Sequence, residues 1–334
     1  MSTHSTPGIQ SVRPLACLPM SFEAIEALRA APRETVAASY REGRGRLGHG
    51  RAAVVELVGY LDGEYLRSVR RQVDRLAADD GVASIVLWVN SGGGSIEGVP
   101  ELAAAIRKAR DRKPVVACAE GLCASAAFWI AAAASPLVVA PSCLTGGIGV
   151  FLLAVDDHEL HQRLGVRVVR ARTGSLKAVG VAGQAISDEE AAWMQSHVDS
   201  LLRLFHLDVL KTERMSPSEL LRLSTGEVWV GASAVSLKLA DRVGLLEDVL
   251  AEADAAAEKR HDQQLASGKR ALAEYNALVC QLAGVNDVEE AFQCDHEEVR
   301  ESHPELAAEV DEYRAQAGLK KYEPPKRYER PRQA

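Results

Sequence analysis

The feature that most constrains this chain is a regular alternation, between Ala52 and Glu252, of short apolar runs with longer helical segments. The run Ser84–Asn90 (SIVLWVN) is the clearest case, because its apolar residues fall on both faces of a would-be strand. Such a strand must be covered on both sides, which is the condition of strands in a parallel sheet. Further strands are expected at Ala53–Tyr60, Val115–Ala119, Leu137–Ala140 and Val166–Arg172. Between and after them, helices are expected at Glu64–Ala78, Ser95–Arg112, Ser125–Ala134, Asp188–Arg214 and Ala232–Leu239. Ser187 and Glu190 form a capping box that opens the fourth of these helices. The order reads as an α/β fold, a mostly parallel sheet covered by helices.

The flanks differ in character, which divides the chain into residues 1–51, 52–252 and 253–334. Residues 1–51 read as a helical N-terminal arm, with Ser21 as cap and Phe22, Ile25 and Leu28 as its stripe, followed by the basic glycine-rich linker Arg41–Arg51. Residues 253–334 hold 17 acidic and 12 basic residues and read as a charged helical C-terminal extension. It has a stripe over Leu265–Leu282 and a second helix starting at Ser302, with Glu305 closing a capping box. The end, Lys320–Arg332, combines cations with Pro324, Pro325 and Pro331, and suits electrostatic docking better than packing.

Composition excludes several classes. A net charge of −7 argues against wrapping nucleic acid, which needs a basic surface. The six cysteines show no C-x-x-C and no framework spacing, so free thiols in a reducing compartment are expected and a structural zinc site is not. Met1–Met20 has no sustained apolar run, and the longest apolar stretch, Cys118–Val139, is broken by Glu120, Ser125, Ser135 and Pro136. No signal, no membrane anchor and a cytoplasmic location are therefore expected.

Three small-residue points follow expected strands, where open α/β sheets place ligands. Asn90-Ser91-Gly92-Gly93-Gly94-Ser95 lacks the third glycine of a dinucleotide fingerprint, since Glu97 stands there. It reads either as a tight turn or as a loop whose amides hold an oxyanion. Ser125, among small residues at a helix start, reads either as a cap or as a nucleophile. Lys177, within Thr173–Gly180, reads either as a solvated loop lysine or as a general base. A base role would require lowering its pKa by roughly 3 units, about 4 kcal/mol. His158 and His161, beside Asp156 and Asp157, could be a metal pair. With no third ligand in view a solvated helix face is the better account, and no metal is expected.

Taken together, SIVLWVNSGGGSIEG, PVVACAEGLCASAAFWIAAAAS, TGGIGV, TGSLKAVGVAGQAISDEE and GEVWVG, in this order, resemble the S49 serine peptidases. That family includes bacterial signal peptide peptidase A and phage head-maturation proteases. The resemblance covers about Ala52–Ala251. It implies a ClpP/crotonase-like fold and a Ser/Lys dyad, with Ser125 as nucleophile, Lys177 as general base, and the amides of Gly93 and Ala126 as the oxyanion hole. It implies no cofactor, a protein or peptide substrate, and a homo-oligomer.

The sequence departs from the family pattern at three places. Gly92 replaces a proline. Gly147 replaces a serine that hydrogen-bonds the lysine, a role the nearby Thr145 hydroxyl or a water could take. Lys238 replaces a glycine in a late motif that concerns packing. The arm, the tail and the expected lack of an anchor point to the phage type, acting on capsid, portal or scaffold protein in host cytoplasm or procapsid. The alternatives are a signal-peptide-peptidase-like protease degrading residual peptides, and a catalytically weak assembly scaffold. A crotonase-like acyl-CoA enzyme would share the fold, but it would normally use carboxylates rather than Ser125 and Lys177.

Overall fold

The structure is a computed structural model that describes residues 51–283 and 293–319. The helix expected in the arm and the basic end Lys320–Arg332 lie outside the described residues. The chain forms two compact units, one ending at Ala253 and the other beginning at Asp254.

In the first unit the elements run β1 (Arg51–Leu61), α1 (Gly63–Ala78), β2 (Val82–Gly94), α2 (Val99–Arg110), β3 (Val115–Ala124), α3 (Ala126–Ala132), β4 (Leu137–Val139) and β5 (Leu144–Gly146). They continue with α4 (His158–Arg163), α5 (Asp188–Leu210), α6 (Pro217–Leu223), β6 (Val228–Val230), α7 (Gly231–Ser236) and β7 (Arg242–Val243). A long helix, α8 (Leu246–Ala283), begins in this unit.

The strands pair in the order β1-β2-β3-β4-β7, all parallel. β3 is forked. Its middle, Ala117–Ala119, pairs with β4, while its end, Leu122–Ala124, pairs with β5. β6 then runs antiparallel along β5.

Alternate residues of the central strands feed two different cores, as a sheet covered on both faces requires. Ile85, Leu87, Val89, Ala117 and Ala119 pack with buried residues of α1, α2 and α3. Val86, Cys118 and Val138 face the other way, against Leu246, Val249 and Leu250 at the start of α8. Truncating a fully buried side chain such as Leu87 to alanine would cost about 2–5 kcal/mol. Some of the helices start where a side chain satisfies a free amide. Asp62 accepts from the Tyr65 amide (2.8 Å) at α1, and the capping box of Ser187 and Glu190 forms at α5.

Two expectations are corrected. Val166–Arg172 is not a strand: Val169 is 76% exposed, and Arg170 and Arg172 are drawn onto Glu190 instead of flanking a sheet partner. Ser302 does not open a helix. It closes α9 (Gln293–Ser302), its hydroxyl donating to the Glu298 carbonyl (2.6 Å), and α10 (Pro304–Gln316) begins with proline in its first turn.

Lys238 stands at φ 61, a left-handed position that favours glycine. Its ammonium pairs with Glu219 at 2.9 Å, an interaction a glycine could not make.

In the second unit, Ala271, Tyr275 and Val279 of α8 pack with Val299, Ala307 and Val310. The Tyr275 hydroxyl donates to the His296 carbonyl (3.3 Å), and Arg300 pairs with Asp311. No helix among the described residues is long and apolar enough to cross a membrane.

Candidate active site

Ser125 occupies the sharp turn between β3 and α3, with φ 55 and ψ −125. For a residue with a Cβ this is a sparsely populated conformation, which persists only where its surroundings enforce it. Here they do. The Ser125 amide donates to the Gly146 carbonyl (2.9 Å), and its own carbonyl accepts from Trp129, one turn into α3 (2.9 Å). Its side chain makes no capping bond. The hydroxyl is therefore left over, half-buried at the end of a forked strand.

The end of β2 lies directly beside it. Gly93 has φ 99, and a Cβ there would come within 2.9 Å of the Ser125 Cβ and 3.0 Å of the Ala126 nitrogen. Only a glycine allows the two loops to approach this closely. Asn90 supports the contact from its other end, accepting the Leu122 amide at 3.2 Å. Ser125, Gly93 and Ala126 thus come together.

The Gly93 amide, however, already has an acceptor: it donates to the Ser91 hydroxyl (3.0 Å), which itself donates to the Gly59 carbonyl (2.6 Å). An oxyanion at this amide would have to displace or share that bond. Ser91 carries no sequence signal beyond its place two residues before Gly93.

Gly147 sits at φ 60, and a Cβ there would meet the Ser125 nitrogen and the Ala124 Cβ, each at 3.1 Å. Its amide donates to the Glu227 carbonyl (2.7 Å), which holds the β5 end against β6. Thr145, the candidate for orienting Lys177, does not meet it. Thr145 is buried on β5, with its hydroxyl 3.4 Å from the Cys143 sulfur. Burial raises the Cys143 thiol's pKa, only partly offset by that hydroxyl.

Lys177 lies in an exposed turn, Thr173–Gly180, and its ammonium has no hydrogen-bond or ion-pair partner among the described residues. The turn belongs to a stretch with many exposed apolar side chains, among them Phe151 (82% exposed), Leu153, Val155, Leu164 and Val169. The aspartates beside His158 and His161 have another use. Asp157 accepts the Gly183 amide (2.6 Å) and Asp156 the Ile186 amide (3.0 Å), tying α4 to the chain before α5.

Behind Ser125, Trp129 stacks on Phe205 with ring centroids 4.6 Å apart. Its indole donates to Asp208 (2.8 Å), which also accepts from Arg107 (2.9 Å) and Lys211 (2.7 Å). Burial pushes the Asp208 carboxyl up, but Lys211, Trp129 and Arg107 outweigh it and hold its pKa low. This anchor for α3 was not anticipated; an acid inside the apolar run LFHLDVL was its only sequence signal.

Comparison with known proteins gives two family matches: Peptidase family S49 over residues 107–260 and Clp protease over residues 50–143. With the parallel strand order, these agree with a ClpP/crotonase-like α/β fold. A protease-named protein of Methanocaldococcus jannaschii is 30% identical over 53% of this chain and 57% of its own length. Protease 4 of Salmonella typhi is 31% identical over 54% of this chain and 29% of its own. Capsid assembly protease C of Escherichia phage lambda is 25% identical over 72% of this chain and 54% of its own. The chain therefore spans less than two thirds of each of these relatives.

Proposed function

We propose that this chain is a serine endopeptidase that cleaves peptide bonds through an acyl-enzyme. The observation that carries this reading is Ser125 at φ 55, its hydroxyl unspent, beside a glycine that leaves no room for a side chain. Ser125 Oγ attacks the scissile carbonyl while the Lys177 amine takes its proton. The amides of Gly93 and Ala126 stabilise the tetrahedral oxyanion. As the intermediate collapses, the peptide C–N bond breaks and the lysine ammonium returns the proton to the leaving amine. Lys177 then activates the water that hydrolyses the ester and frees Ser125. The S49 match and the protease-named relatives support this chemistry.

Two features say what must change for turnover. The Gly93 amide must leave Ser91 or be shared with it, and Lys177 must lose water. The exposed apolar side chains of residues 151–169 support a homo-oligomer, in which a second copy covers this stretch. The similarity to a capsid assembly protease over 72% of the chain supports capsid maturation as the biological role. The occupied Gly93 amide favours one second reading, an assembly scaffold with little catalysis.

The test is fluorophosphonate labelling with mapping of the modified residue, beside peptide hydrolysis by Ser125→Ala and Lys177→Met. Labelling at Ser125 and loss of hydrolysis in both variants is the expected result. Turnover retained by folded Ser125→Ala would overturn the dyad, and no labelling of the parent would favour the scaffold. Sedimentation of an active monomer would count against the oligomer.

A further inference from the structure

We propose that Glu190 is a positioning residue for Lys177, holding the turn that carries it through Arg170. The inference rests on the reading of Lys177 as general base.

Glu190 lies in the first turn of α5 and is 1% exposed, whereas its neighbours Asp188 and Glu189 face solvent. One carboxylate oxygen accepts the Ser187 amide at 2.9 Å and closes the capping box. The other accepts Arg172 at 2.5 Å and Arg170 at 3.2 Å. Capping needs only the first oxygen, so the two arginines on the second require another explanation.

Arg170 supplies it. The same nitrogen that meets Glu190 donates to the carbonyl of Ala178 at 3.2 Å. Ala178 directly follows Lys177 and has φ 68, so it is where the backbone reverses after the lysine. On the other side of the lysine, the Ser175 hydroxyl donates to Glu189 at 2.8 Å. The first turn of α5 thus grips the Lys177 turn from both sides and leaves the ammonium itself unheld.

The Ser187 amide, then Arg172 and Arg170, lower the Glu190 pKa to about 2 against the effect of burial, so the carboxylate stays charged at neutral pH. A buried charge with two guanidinium partners is costly to leave half-paired, which makes the arrangement stiff. Stiffness matters here because a misplacement of about 1 Å can lower a rate by about 100-fold.

Glu190→Gln isolates this role, since glutamine can still close a capping box but carries no charge for the arginines. Arg170→Gln is the second variant, cutting the link to the Ala178 carbonyl while leaving Arg172 on Glu190. Ser187→Ala is the control for helix capping alone. We expect both glutamine variants to lose about 10- to 100-fold in kcat per folded molecule with KM little changed. Ser187→Ala should lower the thermal midpoint and keep kcat. Undiminished kcat in folded Glu190→Gln and Arg170→Gln, with Lys177→Met inactive, would overturn the clamp alone. Turnover retained by Lys177→Met would instead overturn the general-base reading beneath it.

Discussion

One methyl group at Gly93 should damage both stability and acylation. The alanine Cβ would lie 2.9 Å from the Ser125 Cβ and 3.0 Å from both the Ala124 carbonyl oxygen and the Ala126 nitrogen. Those atoms cannot easily retreat, because Ser125 is fixed by its bond to Gly146 and Ala126 begins a helix buried along its whole length. A side chain in left-handed backbone costs about 1–2 kcal/mol. Forcing a methyl into a filled space adds about 1–3 kcal/mol. The sum, about 2–5 kcal/mol, corresponds to a fall in thermal midpoint of about 4–20 °C for a unit of this size. Relief of the clash would also push Gly93 away from Ser125. Losing an oxyanion donor should slow fluorophosphonate labelling by at least about 100-fold. The assay pairs thermal unfolding with the labelling rate at a temperature where the variant is folded. A Gly93→Ala protein with the parental midpoint and labelling rate would refute the geometry at Ser125.

Three other changes probe the same neighbourhood. Ser91→Ala removes the competitor for the Gly93 amide, a bond worth about 0.5–1.5 kcal/mol, so labelling should quicken by about 2- to 13-fold; slower labelling would mean that Ser91 holds the loop in its working shape. Gly147→Ser should lose about 1–2 kcal/mol of stability, since its φ is 60 and its Cβ would crowd Ser125, and faster acylation at unchanged stability would contradict this. Asp208→Asn should cost about 1.5–3 kcal/mol at neutral pH, measured by denaturant unfolding. Because the Asp208 pKa is lowered on folding, its contribution is full above the ordinary carboxylate range and is lost as pH falls through the lower folded value. The gap between the two proteins should therefore close toward acid, and a constant gap would rule out the carboxylate charge as its source.

What could be read from the sequence was what depends on local pattern. SIVLWVN announced a strand covered on both faces, and Ser187 with Glu190 announced the start of α5, because each signal lies within a few residues. Val166–Arg172 misled for the same reason. Its alternation of valine and arginine mimics a strand, whereas the arginines answer to Glu190, far along the chain and buried. Ser302 misled because a serine three before a glutamate satisfies the capping pattern equally well when it ends the preceding helix. At the site, local sequence left Ser125 open between cap and nucleophile. The resemblance pointed to the nucleophile, and the backbone angle and the uncapped hydroxyl support the reading proposed above. The Ser91–Gly93 bond and the Asp208 anchor depend on neighbours that no periodicity reveals.

The fork in β3 has a consequence in time. The Ser125 backbone is pinned by Gly146, whose strand is completed only by Val228–Val230 and by the Glu227 carbonyl. A chain emerging from the ribosome therefore contains Ser125 long before it contains the segment that sets the backbone of that serine. During that interval Ser125 has no reason to leave ordinary backbone, since contacts between distant segments form late. Under the proposed chemistry, a reactive hydroxyl arises only once most of the first unit has been made and folded, so a half-synthesised chain is spared a working nucleophile among its unfolded neighbours.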